Sequence, residues 1–375
     1  MLEKAGFTFL EDYQDADVIL FNTCAVRENA ENKVFGNIGR IKAVKKANPN
    51  AVVVLAGCMT EQESIAKKIS EVYTFVDIVL GTKQIQSFPK ILCDFILNRP
   101  VKNKHAVIYT SKEDPILEDF PMKRNNKIKA FVSIMSGCNN FCSYCIIPYA
   151  RGRVRSKPLD EIERDVKNLC EKGYEEIVLT GINLSSYGKD LNCSLEDATQ
   201  RICSIEGVKR LRLGSLEPDL VTEKLIDSLA KEKKFCPQFH LSLQSGSDKI
   251  LEKMRRKYTR QQYLDVVKLI KRKIPLATFT TDIMVGFAGE TEEDFNESLD
   301  IISQVGFLKV HVFPYSIRPG TLAANFDGQI SKATKTKRVQ KMIDTSQKIS
   351  RIVIESFLNL KLEVLYESSV GEGFY

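Results

Sequence analysis

Histidine is scarce in this sequence: His105, His240 and His311 are the only three among 375 residues. None lies beside a pair of cysteines, and only one C-x₂-C pair occurs, so the paired donor sets of a structural zinc module are missing. No run of eighteen apolar residues exists, which leaves no candidate for a membrane-spanning helix. The opening residues, MLEKAGFTFLEDYQDADV, are acidic and lack the basic-then-apolar order of a secretory signal. The expected compartment is therefore the cytoplasm, where ten cysteines read as ligands, redox groups or small core residues rather than disulfides. Charge of one sign does not dominate either: 55 Lys and Arg stand against 48 Asp and Glu, a net +7 that permits a polyanionic partner without requiring one.

What is present is a repeated alternation of strand and helix patterns, in a chain long enough for two or three domains. Over residues 1–100, DADVILFNTC, NAVVVLAGCM and VDIVLG are short Val/Ile/Leu-rich runs suited to strands buried on both faces. Helical patterns follow them, which predicts a small parallel α/β domain. Cys24 and Cys58 fall at the carboxyl ends of two of these strands, where open α/β sheets place their ligand sites. MLEKAG reads as the last turn of a helix stopped by Gly6, with the expectation of a chain that starts late. Residues 101–127 have no sustained period and read as a linker. Residues 128–350 hold six strand candidates, KAFVSIM, EEIVLTG, RLRLGSL, QFHLSLQSG, ATFTTDIMVGF and FLKVHVFPYS, with helices between them, and predict a barrel or partial barrel. Residues 351–375 end in LKLEVLYESSVGEGFY, whose alternation predicts the opening strand of a small β-domain.

The densest chemistry is SGCNNFCSYCIIP, in which Cys138, Cys142 and Cys145 follow the first barrel strand with C-x₃-C-x₂-C spacing. Three thiolates so close suit a soft metal centre, an Fe–S cluster or zinc. Structural zinc is normally closed by four ligands, whereas four irons on three thiolates leave one iron open for chemistry.

This spacing, with Tyr144 before the last cysteine, resembles the radical S-adenosylmethionine superfamily. Seven further stretches, NTCAVRENAENKVFGNIGR, LAGCMTEQE, TGINLSSYG, RLRLGSLEP, HLSLQSGSD, TTDIMVGFAGETEEDF and VHVFPYSIRPGT, together resemble its tRNA methylthiotransferases over essentially the whole chain. The resemblance implies a radical S-adenosylmethionine partial (βα)6 barrel preceded by the small parallel domain and followed by a tRNA-binding β-domain cut short. It implies that Cys138, Cys142 and Cys145 hold a [4Fe–4S] cluster whose open iron is chelated by S-adenosylmethionine. One electron then cleaves that cofactor to a radical that abstracts hydrogen from an unactivated carbon. It further implies a second, auxiliary [4Fe–4S] cluster with Cys24 and Cys58 as two of its three ligands. The third belongs to a motif ahead of residue 1, so that cluster is expected to be incomplete, while Cys93, inside an apolar helix, reads as core. The implied partners are tRNA and an electron donor such as flavodoxin or ferredoxin.

By the same resemblance Thr180, Gly181 and Asn183 occupy the second strand end, where the cofactor's amino group is held. Glu217, Gln244, Ser245 and Asp282 sit at later strand ends within reach of ribose, methionine or substrate, or serve as loop and cap residues. Gly286 and Gly289 permit close backbone approach to adenine, or simply make a tight turn. Arg151, Arg153 and Arg155 are candidates for tRNA phosphates, with KMRRKYTR (253–260) as a second basic stretch; both could equally be solvated faces. The substrate base is ambiguous. The first domain and the cysteine loop resemble the isopentenyladenosine branch, while HLSLQSG and HVFPYSIRPGT resemble the threonylcarbamoyladenosine branch. Because the base must enter the barrel mouth, the expectation is methylthiolation at C2 of N6-threonylcarbamoyladenosine. Isopentenyladenosine, a protein side chain and a non-catalytic metal-bearing RNA-binding role stand as alternatives.

Overall fold

The computed structural model describes residues 1–25, 28–98, 106–110, 123–124 and 126–367. Two compact units emerge, one of Met1–Lys123 with Cys145–Arg153, the other of Arg124–Tyr144 with Val154–Tyr375.

In the smaller unit, β1 (Val18–Thr23), α1 (Glu28–Ala47), β2 (Val52–Gly57), α2 (Glu63–Val72), β3 (Ile78–Gly81) and α3 (Phe88–Leu97) alternate as the apolar runs predict. All neighbouring strands are parallel. Both β2 and β3 are buried along their whole length, as the inner strands of a sheet covered on two faces must be. Val53 and Leu55 face Ile38, Ile41 and Ile69 of α1 and α2. Val54 and Ala56, pointing the other way, meet Phe88 and Leu92 of α3. Val107–Tyr109, inside the stretch expected to be a linker, forms β4 at the edge of this sheet beside β3. Three residues are too few to show a period, which is why pattern alone missed it; residues 99–105, 111–122 and 125 of that region lie outside the described residues. At the start of the chain, Leu2–Ala5 is a 3₁₀ turn closed by Gly6 in the left-handed region, the local stop that MLEKAG predicts. The short α4 (Ile147–Arg151) also belongs to this unit.

The larger unit runs β5 (Lys129–Ser136), β6 (Arg155–Ser156), α5 (Leu159–Glu171), β7 (Glu176–Gly181), α6 (Leu195–Cys203), β8 (Arg210–Leu213), β9 (Ser215–Leu216), α7 (Glu223–Lys231), β10 (Gln238–Leu241), α8 (Asp248–Lys253), α9 (Arg260–Lys273), β11 (Thr278–Val285), α10 (Glu292–Val305), β12 (Lys309–Pro314) and α11 (Lys332–Glu355). The strands make two sheets, β6-β5-β7-β8 and β9-β10-β11-β12. RLRLGSL, expected as one strand, is two: Gly214 breaks it, its N–H donating to Leu179 O at 2.8 Å, so that β8 stays with β7 while β9 joins β10. Apart from the antiparallel edge strand β6, the seven remaining strands are parallel, and with β8 and β9 sharing one position they make the expected six-position partial barrel. Ser194, Thr259 and Thr291 close capping boxes at the starts of α6, α9 and α10, so each return helix has a defined beginning.

Period-two burial fixes which face of each strand meets the helices. In β11, Phe279, Thr281, Ile283 and Val285 are buried, while Thr278, Thr280, Asp282 and Met284 on the opposite face remain half-exposed. The inner face of this partial barrel is thus polar and partly open. Beyond α11, residues 361–367 form no strand, and Leu362, Val364 and Tyr366 are exposed. Alternation alone cannot make a strand without a neighbouring ladder, and no described strand pairs with this segment. Residues 368–375 of that expected β-domain lie outside the described residues.

Candidate functional site

Cys138 and Cys142 sit in the loop that leaves β5 at the carboxyl end of the barrel strands. The loop is fixed from behind by the end of α8. Ser143 N–H donates to Met254 O at 3.0 Å, the Ser143 hydroxyl donates to Lys253 O at 2.7 Å, and Ser143 O accepts from Ala323 N–H at 2.8 Å. Phe141 takes a positive φ of 50°, a costly conformation for an aromatic residue that bends the loop between the two thiols. Tyr144 is partly buried and meets Phe287 edge-on at 6.4 Å, which makes it a hydrophobic anchor of the loop.

Donors converge on both thiols. Cys138 Sγ accepts from the Asn140 N–H at 3.5 Å and from Asn183 Nδ2 at 3.7 Å. Cys142 Sγ accepts from Arg256 Nη1 at 3.5 Å. Burial pushes the Cys142 thiol up, and the Arg256 guanidinium pulls it back. Asn183 is buried, and its Oδ1 has no partner among the described residues. A buried acceptor beside a thiol that itself receives two N–H donors fits a thiolate-bound cluster with an amino-bearing cofactor next to it. The residues present therefore fit the group that the cysteine spacing implies.

The other expected contacts divide. Thr180 turns its hydroxyl back to Val132 O at 3.3 Å, and Gly181 gives room to Met135, so both shape the strand end. Glu217, largely but not fully buried, forms an ion pair with Arg256, and its N–H donates to the Ser185 hydroxyl at 2.8 Å. Burial raises the Glu217 carboxyl, with Arg256 opposing. Gln244 sits at φ 67°, bridging to β11 through Asp282 O and the Met284 N–H. Ser245 is fully buried against Ser298 of α10 and faces the helical layer. Asp282 lies on the open inner face, with Oδ2 3.4 Å from His240 Nε2, while His240 Nδ1 is 2.9 Å from the Thr280 hydroxyl. Gly286 and Gly289 both have positive φ in a turn whose Gly286 N–H donates to Glu290 at 2.7 Å.

In the smaller unit, the register Thr23↔Gly57 brings β1 and β2 to an end at the same level. Cys24 and Cys58 therefore leave adjacent strands side by side, with Cys58 N–H donating to Thr23 O at 3.2 Å. Arg151 Nε donates to Cys58 Sγ at 3.1 Å, and Ile146 is buried with Ala25 and Cys58. The structure thus sets Arg151 against a thiol. Arg153 is exposed and Arg155 lies half-buried in β6. Cys93 is in the middle of α3, away from the strand ends.

Sequence reading missed Arg256 and His240. Arg256 was hidden in the basic run KMRRKYTR, expected to face RNA or solvent; the side chain is 4% exposed. For His240 the signal was available. In QFHLSLQ the apolar residues alternate with Gln238, His240 and Ser242, which places the imidazole on the inner face with Asp282.

Residues 132–302 match the radical SAM superfamily, and residues 1–81 match a family described as uncharacterized protein family UPF0004. A tRNA-2-methylthio-N(6)-dimethylallyladenosine synthase from Clostridium botulinum strain Langeland is 44% identical over 373 residues, 98% of this chain and 82% of the relative. One of the same name from Thermoanaerobacter sp. strain X514 is 42% identical, covering 98% of this chain and 78% of the relative. Among solved structures, the radical S-adenosylmethionine methyltransferase TsrM from Kitasatospora setae, with cobalamin and a [4Fe–4S] cluster bound, shares the fold. Its TM-score is 0.62 at 14% identity, over 82% of this chain and 65% of that one.

The names of these relatives overturn the expectation of threonylcarbamoyladenosine and favour the isopentenyl alternative. The structure explains the misreading. In HLSLQSG, Leu241, Leu243 and Ser245 are buried, and in HVFPYSIRPGT, Tyr315 and Arg318 are buried as well. Much of what those motifs carry is packing, which says little about the base.

Proposed function

Because the chain belongs to the radical S-adenosylmethionine tRNA methylthiotransferase family, whose members are transferases using a [4Fe–4S] cluster, S-adenosylmethionine and a second Fe–S cluster, we propose that it adds a methylthio group to N6-dimethylallyladenosine (isopentenyladenosine) in cytoplasmic tRNA. The observation that carries this reading is the 44% identity, over 98% of the chain, to a synthase named for that nucleoside.

Cys138, Cys142 and Cys145 would hold the first cluster. Bound there with S-adenosylmethionine, it supplies one-electron reductive chemistry, with a flavodoxin or ferredoxin as electron source. Asn183 holds Cys138 through Nδ2 and offers its free Oδ1 to the cofactor's amino group. Asp282, held by His240 on the open inner face, offers a carboxylate to a ribose or a base edge. Cys24 and Cys58, which leave β1 and β2 at the same level, would be two of the three ligands of the second cluster. Arg153, exposed beyond α4, is available to phosphate.

The test is nucleoside mass spectrometry of tRNA from a host lacking its own methylthiolation enzymes and expressing this chain. A methylthio mark on dimethylallyladenosine that disappears with Cys142→Ala is the expected result. A mark on another nucleoside alone, or one that survives that substitution, overturns the reading.

A further inference from the structure

Among the described residues Arg256 makes four side-chain hydrogen bonds, and neither the ligand set nor the substrate reading uses it. Its position begins in the backbone. α8 closes with Arg255 N–H donating to Glu252 O and Arg256 N–H donating to Leu251 O, both at 2.9 Å. Arg255 pays for that turn with a φ of 58°, a left-handed conformation usually left to glycine. The reversal sends the next side chain inward. Arg256 Nε donates to the Tyr258 hydroxyl at 3.0 Å, Nη2 pairs with Glu217 and donates to Ser242 O at 3.1 Å, and Nη1 donates to Cys142 Sγ at 3.5 Å. The guanidinium carbon also lies 5.0 Å from the Tyr258 ring centroid.

Every nitrogen of this fork therefore has a partner, and the partners come from the cysteine loop, the β9 end, the turn after β10 and the connection between α8 and α9. A guanidinium stays charged when buried and presents five donors in a rigid planar fork, whereas a lysine offers three donors on a single point charge and loses its proton more readily on burial. The same α8 end already holds Ser143, the neighbour of Cys142, by two hydrogen bonds. Backbone and side chain act on one point.

We propose that Arg256 is a positioning residue that holds Cys142 for cluster ligation and, against the opposing charge of Glu217, sets the reduction potential of the cluster on that loop. Potentials of such clusters respond to net charge and to hydrogen bonds reaching their sulfurs. One-electron reduction adds one negative charge beside Cys142. Arg256 stabilises that added charge and raises the potential, whereas Glu217 disfavours it and lowers the potential. The two side chains thus act with opposite signs, a signature that loop packing alone does not produce.

The inference rests on Cys142 being a cluster ligand, and the two are separable. Loss of iron and sulfide from anaerobically reconstituted Cys142→Ala tests the ligand, and midpoint potentials test the inference. The full chain is reconstituted, and the cluster is titrated by electron paramagnetic resonance without tRNA or S-adenosylmethionine. Arg256→Gln should lower the ratio of reduced to oxidised cluster at a fixed potential about tenfold, a negative shift of about 59 mV for a one-electron couple. Glu217→Gln should shift the midpoint in the positive direction, and Arg256→Lys, which keeps the charge but not the fork, should fall between wild type and Arg256→Gln. If Arg256→Gln does not retain iron, Glu217→Gln decides alone: a positive shift supports the proposal. A change of less than twofold in that ratio for the Glu217 variant, or shifts of the same sign for both variants, overturns it.

Discussion

Replacing Arg338 with Leu should destabilise the larger unit severely, and the deficit should shrink on acidification. Arg338 rises from α11 into the turn after β11. There Nη1 meets Glu290 Oε2 at 2.6 Å and Glu290 O at 3.1 Å, and Nη2 meets Glu292 at 3.2 Å. The paired side chains are 8% and 1% exposed. Leu keeps the apolar contact with Phe295, over which the guanidinium lies at 5.3 Å, so the change removes charge more than volume. Taking one partner from a buried pair costs about 3–5 kcal/mol, because the survivor is left charged and dry. In a unit of this size each kcal/mol moves Tm by about 2–4 °C, so the expected fall is about 6–20 °C.

The pH dependence carries the sharper test. Burial already raises the Glu290 carboxyl, with the Gly286 N–H and Arg338 pulling down. Without Arg338 it rises further. A carboxyl whose folded pKa lies above its unfolded value gives full stability below the unfolded value and loses it as pH rises through the folded one. Each unit of separation costs about 1.4 kcal/mol. Arg338→Leu should therefore be least stable, relative to wild type, near pH 8 and recover part of the deficit near pH 5. Arg338→Leu/Glu290→Gln should recover at neutral pH, since no buried charge is left behind. Denaturant unfolding at the two pH values is the assay. A deficit under about 1 kcal/mol, or one that stays constant between them, would refute the reasoning.

Two further outcomes follow from local geometry. Burial pushes Asp294 up, but the Thr291 N–H, the hydroxyls of Ser247 and Thr291, and Lys249 hold it down, from 3.8 to about 2. That depression contributes roughly 2 kcal/mol at neutral pH. The stability gap between wild type and Asp294→Ala should hold above about pH 4, halve by about pH 3 and fade as pH drops through the folded value; a gap that stays flat on acid titration counts against it. Gly57 sits at φ 119°, and a Cβ there would press on the backbone of Thr23, 2.8 Å from its nitrogen. Gly57→Ala should cost about 1–3 kcal/mol and strip hydrogen-exchange protection from β1 and β2, where Cys24 and Cys58 begin; unchanged protection would show that the strand ends tolerate separation.

The parts legible in the sequence were those with strong local signals. The spacing of Cys138, Cys142 and Cys145 is covalent and survives any fold. The buried runs of β2 and β3 could hardly be anything but inner strands, and the alternation in β11 already separated Phe279 from Asp282. Illegible parts depend on partners distant in the chain. β4 exists because β3 offers it a ladder, and residues 361–367 show the converse, an alternating pattern with no ladder beside it among the described residues.

Charge misled most. Arg151 and Arg256 stand in basic stretches that read as RNA-facing or solvated surface, yet half-buried Arg151 is bound to Cys58 and buried Arg256 to Cys142 with Glu217; Arg338, among the basic residues of α11, is likewise buried against Glu290. Composition cannot separate a basic surface from a run with one inward member, because the inward member is selected by a turn. At Arg256 that turn is the left-handed residue before it; at Arg338 it is the helical phase that also buries Met342. The substrate base was misassigned for a related reason. A motif at a strand end mixes residues facing the open side with residues facing the helices, and only the former can meet a substrate. Once Leu241, Leu243 and Ser245 are set aside as packing, the informative positions left in HLSLQSG are His240, Ser242 and Gln244. On the proposed reading, discrimination between a hydrophobic and a carbamoyl-bearing adenosine is to be sought there and at Asp282, rather than in the motif as a whole.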